Sequence, residues 1–208
     1  MNAGAQEIPL FPLGTVLFPG GLLPLRVFEQ RYMEMAKNCL RDGTPFGVCL
    51  ILDGAEVGGP ATHENIGCLA HIVHWDMQQL GLLQLIAQGG LRFRVLGRRV
   101  RADGLIFAKV EMLPEVSDAP IAGEYADRFG ACRSLLERIV AEHGERLFAK
   151  PFLLDSSAWV GARLAEVLPL PPATRQQLLE LGDGVQRLDI LQRLLLESTA
   201  TPRVSGQS

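Results

Sequence analysis

The stretch IPLFPLGTVLFPGGLLPLRVFEQRY, residues 8–32, decides the fold. Its first 18 residues carry no charge, which is about the length of a membrane span. The same window contains four prolines and three glycines. Each proline removes an amide donor, so a helix here would leave carbonyl groups unpaired in lipid. The stretch therefore predicts short strands joined by tight turns, with each strand entered through a proline.

The flanking residues and the cysteines predict a cytoplasmic protein. No basic residue precedes the apolar run, and Glu7 stands directly before it, which is not the pattern of an export signal. The sequence has four cysteines without a C-x-x-C pair, and we expect reduced thiols. They are Cys39, Cys49, Cys68 and Cys132.

The composition is that of a globular chain with a mild acidic excess. Of the 208 residues, 48% are hydrophobic and 21% are charged, and the net charge is -3. A dedicated nucleic-acid binder usually has a strongly basic face, so this balance argues against that class, although a local basic patch stays open.

Strand patterns dominate up to about residue 113. A helix is predicted from Val27 to a glycine cap at Gly43. Strands are predicted at residues 45–52, 66–77 and 105–113. Two further alternating runs meet at Gly89 and Gly90, and this pair predicts the turn of a hairpin.

Helical patterns dominate after residues 114–123. Asp155 or Ser156 is the expected N-cap of a helix that ends before Pro169. We therefore predict a β domain at residues 1–117, a helical bundle at 118–198 and a disordered tail at 199–208.

Several segments together resemble the N-terminal domain of Lon proteases. They are the opening stretch, IGCLAHIVHWDM, GLLQLIAQGGLRFRVL, FAKVEML and the later LAEVLPLPPATRQQLLELGDGVQRLDILQRLLL. The resemblance implies an α+β fold, in which a PUA-like, mainly antiparallel β-barrel with one helix precedes a small α-helical bundle. It also implies that the apolar residues of the opening stretch line the barrel core.

The sequence contains neither catalytic module of the full Lon proteases. No lysine stands in a Walker A loop, and no serine stands in a G-x-S-x-G elbow. We therefore expect a stand-alone protein without catalytic residues and without a cofactor. An enzyme with an unrecognised site remains an alternative.

The resemblance implies a non-catalytic module that binds polypeptide, as related barrels do in Lon proteases and in cereblon. The expected partners are unfolded or extended polypeptides or one specific protein, with a protease system as a further candidate. Neither a membrane nor a nucleic acid is an expected partner, and the oligomeric state is not predicted.

Two sets of residues are candidate binding surfaces. An apolar set would bind peptide if it is exposed, and the alternative is that helices cover it. It consists of Phe11, Leu13, Phe18, Leu22 and Leu23. A strip of arginines would face acidic peptides or RNA, and the alternative is a solvated strand edge. It consists of Arg92, Arg94, Arg98, Arg99 and Arg101.

The histidines and one cysteine of the segment HENIGCLAHIVHW are weak candidates for a metal site. On a strand, His71 and His74 point to opposite faces, and Cys68 and His74 lie about 20 Å apart. Zinc needs its ligands to converge on one tetrahedral point, so we expect no metal site.

Overall fold

The computed structural model describes residues 6–56, 58–59, 61–79 and 81–200. The strands are β1 (Gln6–Leu13), β2 (Leu22–Val27), β3 (Phe46–Asp53), β4 (Thr62–His63), β5 (Ile66–Gln79), β6 (Leu82–Val100) and β7 (Ile106–Met112). The helices are α1 (Gln30–Asp42), α2 (Glu124–Leu147), α3 (Ser157–Val167), α4 (Pro172–Glu180) and α5 (Gly184–Ala200).

Five of the strands close into a barrel. They follow the order β1-β7-β6-β5-β3, and a parallel pairing of β1 with β3 closes the ring. The short β4 pairs antiparallel with the end of β3, while β2 pairs with β6 outside the ring. The α+β fold with a barrel followed by helices is thus confirmed.

The predicted hairpin at Gly89 and Gly90 is wrong, because β6 continues straight through both glycines. The chain reverses between β5 and β6 instead, where Gln79 is paired with Leu82. Gly89 is needed because the loop formed by residues 18–21, here called the FPGG loop, lies against it. The amide of Gly89 donates a hydrogen bond to Gly21 O, and the carbonyl of Gly89 accepts one from Gly20 N, both at 2.8 Å. A Cβ at this position would collide with Phe18 O.

The helical part begins after a connector that contains the predicted boundary at residues 117 and 118. The hydroxyl of Ser156 accepts a hydrogen bond from Trp159 N at 3.0 Å, which is the predicted N-cap of α3. Because α5 runs to Ala200, the prediction that a disordered tail begins at residue 199 is wrong for its first two residues. The rest of that tail, residues 201–208, lies outside the described residues.

One apolar core joins the helices to the barrel. Phe18 from the FPGG loop and Leu50 from β3 belong to the same buried cluster as Phe129, Leu164 and Leu191 of the helices. None of the helices in the described part of the chain has the length and apolar character needed to cross a membrane.

Candidate functional site

The predicted apolar patch is mostly interior. Phe11, Leu13 and Phe18 are buried, so they cannot form the candidate peptide-binding patch, and the alternative that other parts of the fold cover them is correct. Phe11 stacks on Tyr32 of α1 with ring centroids 4.0 Å apart, while the core of the helical bundle covers Phe18. Leu22 and Leu23 on β2 are half-buried. The opening stretch therefore builds the barrel and its junction with the helices.

Four of the five predicted arginines are exposed, and three of these four have carboxylate partners. Arg99 donates two hydrogen bonds of 2.8 Å to the carboxylate of Glu7. The other ion pairs are Arg94 with Glu111 at 4.0 Å and Arg101 with Asp103 at 3.0 Å. These carboxylates reduce the positive potential that the strip would offer to an anionic polymer.

Arg92 departs from the prediction, because it is buried at the junction between the barrel and the helices. Its Nη1 donates to the carbonyls of Leu179, Glu180 and Leu181 at 2.8–3.1 Å. Its Nη2 donates to Pro114 O at 3.0 Å. The carbonyls at the end of a helix have no partner within the helix, so Arg92 caps α4 from the barrel side.

Arg187 of α5 also donates hydrogen bonds to this end of α4. Its Nε donates to Leu178 O at 2.9 Å and its Nη2 to Leu181 O at 3.1 Å. Burial, together with the nearby positive charges of Arg92 and Arg163, lowers the pKa of Arg187 to about 10, although Asp183 and Glu166 oppose that fall. Burial also lowers the pKa of Arg92.

A third buried arginine, Arg163 of α3, holds the FPGG loop. Its Nη2 donates to Pro19 O at 2.7 Å and to Glu166 Oε1 at 3.0 Å. Burial raises the pKa of Glu166 to about 7, although Arg163 opposes that rise.

A cleft of about 330 Å³, here called the junction cleft, opens between the barrel and the helices. Arg92 and Arg187 line it together with a mostly apolar set from both parts of the fold. That set includes Pro19, Leu91, Pro114, Val116, Leu153, Ala158, Trp159 and Ala162. Leu91 and Leu153 are 40% and 48% exposed, so large apolar side chains on both sides of the cleft are accessible to a partner.

A second apolar depression, here called the hairpin groove, lies between α1 and the β5–β6 hairpin. Trp75 and Met77 of β5 are 54% and 44% exposed there. The groove has a volume of about 440 Å³, and Met33, Leu40 and Leu83 complete its apolar lining. It shares no lining residue with the junction cleft.

A comparison with known protein families assigns the chain to one of them. The family described as the ATP-dependent protease La (LON) substrate-binding domain matches residues 7–197. The chain belongs to this family.

Known members of the LON family and related proteins resemble the chain over different lengths. A Lon protease from Paraburkholderia phytofirmans is 30% identical over 88% of this chain, and zebrafish (Danio rerio) cereblon is 32% identical over 53% of it. The chain spans only 23% and 26%, respectively, of the lengths of these two relatives.

Two solved structures resemble this LON domain. The crystal structure of a Lon N-terminal domain protein from Xanthomonas campestris is 39% identical, with a TM-score of 0.74 over 90% of this chain and 98% of that one. The N-terminal domain of a Mycobacterium avium complex Lon protease shares the fold at 16% identity, with a TM-score of 0.61 over 89% of this chain and 96% of that one.

The described part of this LON domain contains no group of three or more histidine, cysteine or acidic side chains that could hold a metal ion. All four cysteines are free and buried, and burial raises the pKa of Cys68. A thiol with a raised pKa is a poor nucleophile. The comparisons match the substrate-binding part of Lon, which is not its catalytic part.

Sequence reasoning missed Leu153 and Trp159, which form one wall of the junction cleft. The predicted N-cap at Ser156 already placed Trp159 in the first turn of α3. The sequence does not show that this turn faces Leu91 of the barrel, because that proximity depends on how the two parts pack.

Proposed function

We propose that this protein binds polypeptide without catalysis and that the junction cleft is its binding site. The observation that carries the proposal is the accessible pair Leu91 and Leu153, which stand on the two sides of an apolar cleft. Membership of a family described as substrate-binding supports the same function. Ligand sites occur preferentially in clefts between the parts of a protein.

Apolar burial is the source of affinity in this proposal. An extended segment that places one or two apolar side chains against Leu91, Leu153 and Trp159 gains roughly 1.5–3 kcal/mol for each fully buried side chain. Ordering a flexible chain opposes that gain. We therefore expect dissociation constants in the micromolar range or weaker, equivalent to about 8 kcal/mol or less.

The partners in this proposal are unfolded or extended segments or one specific protein, in a cytoplasmic setting. A link to a protease system is proposed because several relatives of the chain are Lon proteases. The arginine strip supports a nucleic-acid partner less well, because three of its exposed members face carboxylates.

The test is the binding of a fluorescent, permanently unfolded polypeptide, measured by anisotropy at low and high salt. Leu91→Glu and Leu153→Glu each place a charge on an apolar wall of the cleft and should weaken binding at least tenfold. Leu96→Glu is the matched control, because Leu96 lies on the same strand, is 53% exposed and does not line the cleft. Binding to the unmodified protein should survive high salt.

Two results would contradict the proposal. The absence of saturable binding at both salt concentrations would remove the general role in binding unfolded chains. Loss of binding in Trp75→Ala, with full binding in Leu153→Glu, would move the site to the hairpin groove.

A further inference from the structure

We propose that two copies of this protein pair through the outer edge of β5, antiparallel and around a two-fold axis beside Trp75. The partner is a second copy of the same chain, and the two sheets join into one that crosses both molecules. This inference is independent of the proposed function, because the junction cleft contains no residue of β5.

The outer edge of β5 is open beyond Ala70. The neighbouring strand β3 pairs with β5 only through Phe46–Val48, against Cys68–Ala70. Residues 71–79 pair with β6 on the inner side, and no strand in the described part of the chain pairs with them on the outer side. An open strand edge presents a row of N–H and C=O groups to which a further strand can bond.

The backbone groups of Trp75 are directed to that open side. Pro24 of β2 lies opposite Ile86 of β6 and has no amide to donate, so Ile86 bonds toward β5. Successive residues of a strand bond to opposite sides, so Leu85 bonds toward β2, as Gly89 does further along toward the FPGG loop. Trp75 is paired with Leu85, and its own N–H and C=O are consequently directed away from β6.

The two edges of this part of the sheet differ in their protection against pairing. Natural sheets block open edges with prolines and charged side chains. The edge formed by β2, on the other side of β6, carries Pro24 and Arg26. The β5 edge has no proline at residues 71–79, and it exposes the apolar side chains of Val73, Trp75 and Met77. The β5 edge is therefore the one that is suited to another strand.

The residues that flank Trp75 favour a second copy as the partner, because they are complementary to themselves in the antiparallel direction. When Trp75 lies opposite Trp75 of the partner subunit, Asp76 lies opposite the partner's His74, and His74 opposite the partner's Asp76. An imidazole N–H can donate a hydrogen bond to a carboxylate, so both pairs are favourable. At the next position Met77 meets the partner's Val73, which covers exposed apolar side chains on both copies.

The surface of α1 beside this edge is compatible with a two-fold arrangement. Met33 and Leu40 line the hairpin groove next to Trp75, and Glu34 and Lys37 lie between them on the helix. The two charges have opposite signs, so copies related by a two-fold axis bring no excess of one sign together. The apolar lining of the groove would be partly covered together with Trp75.

The first experiment measures the oligomeric state by sedimentation velocity over a series of concentrations. The unmodified protein should form a reversible dimer with a dissociation constant in the micromolar range, as expected for a small interface. His74→Asp sets a second carboxylate against the partner's Asp76 and should weaken the dimer at least tenfold. His143→Asp is the matched control, because His143 has an exposed side chain on α2, and it should leave the dimer unchanged.

A mixture of two variants separates loss of pairing from loss of folding. Asp76→Lys should also weaken the dimer when it is alone in solution. An equimolar mixture of His74→Asp and Asp76→Lys should restore dimers, because the introduced carboxylate of one copy faces the introduced ammonium group of the other. Circular dichroism checks the folding of each variant.

A cysteine cross-link tests the register. Residues in a hydrogen-bonded antiparallel pair have Cα atoms about 5.5 Å apart, which a disulfide can span. Trp75→Cys should therefore form a covalent dimer under mild oxidation, and the four native cysteines do not interfere because they are buried. His71→Cys is the control and should not cross-link, because in this register His71 faces the partner's Gln79.

Three results would overturn the inference. The first is a protein that stays monomeric at every concentration. The second is a dimer that His74→Asp does not weaken, or one in which His71→Cys cross-links as readily as Trp75→Cys, since either result places the interface elsewhere. The third is a mixture of the two charge variants that stays monomeric. None of these results bears on the junction cleft, which is tested by the binding of unfolded polypeptide.

Discussion

The carboxylate of Glu166, which is 18% exposed, makes stability depend on pH. Its pKa is raised by burial from 4.5 to about 7, so the folded state holds a proton that the unfolded state releases above pH 4.5. Stability should therefore be fully retained below about pH 4.5 and fall as the pH rises to about 7, by up to roughly 3 kcal/mol. The Glu166→Gln variant should lose this slope, measured by urea unfolding at a series of pH values.

The matched control for this prediction is Glu142→Gln, because Glu142 has an exposed side chain on α2. It should keep the slope of the unmodified protein between pH 4.5 and 7. A slope that is the same in Glu166→Gln and in the unmodified protein would show that another group is responsible.

At the level of the strand, Gly89 ties β6 to the FPGG loop. Gly89→Ala would place a methyl group against the carbonyl of Phe18, which is backbone and cannot rotate away. We expect it to lower the free energy of unfolding by about 1–3 kcal/mol, measured by urea denaturation. Gly97→Ala on the same strand is the control, because a Cβ there meets nothing within 4 Å. Equal stability of the two variants would contradict the close approach.

The adjacent glycines Gly89 and Gly90 show how far the sequence predicts the strands and helices. Prolines and alternating apolar residues located β1 and β2, and the cap at Ser156 located α3. A Gly-Gly pair, however, indicates either a turn or the close approach of another backbone. The sequence around Gly89 contains nothing to separate these cases, because the approaching loop is about 70 residues away along the chain.

The candidate site was only partly predictable for a related reason. Alternation with Phe93 made Arg92 look exposed, and it is buried because the carboxyl end of α4 lies against its side chain. Arg94 lies two residues further along the strand and is exposed as predicted. The resemblance to the Lon family supplied the barrel and the helical bundle, but not the side chains that meet between them.

For the whole molecule, Arg92 couples the barrel to the helices. Arg92→Ala would leave the carbonyls of Leu179–Leu181 and Pro114 without this donor, and we expect a loss of roughly 3 kcal/mol in the free energy of unfolding. Urea unfolding followed by fluorescence and by circular dichroism measures the loss and tests whether the two signals still coincide. Arg94→Ala should change stability by about 0.5 kcal/mol or less, since its ion pair is exposed.

This coupling would be contradicted if Arg92→Ala lowered the free energy of unfolding as little as Arg94→Ala does. That result would mean that the shared apolar core alone holds the two parts together.

The closure of the barrel has a consequence for how the chain folds. Gln6 of β1 is paired with Val110 of β7, and Leu10 with both Ile106 and Gly47. During synthesis the first strand can find β3 early, but its other edge stays unpaired until residue 106 and beyond have left the ribosome. Pairing between such distant segments slows folding, because the chain loses the entropy of loop closure before the stabilising contacts form. In the nascent chain, the apolar strand β1 therefore keeps a ring-forming edge unpaired, and so able to aggregate, for longer than any other strand of the ring.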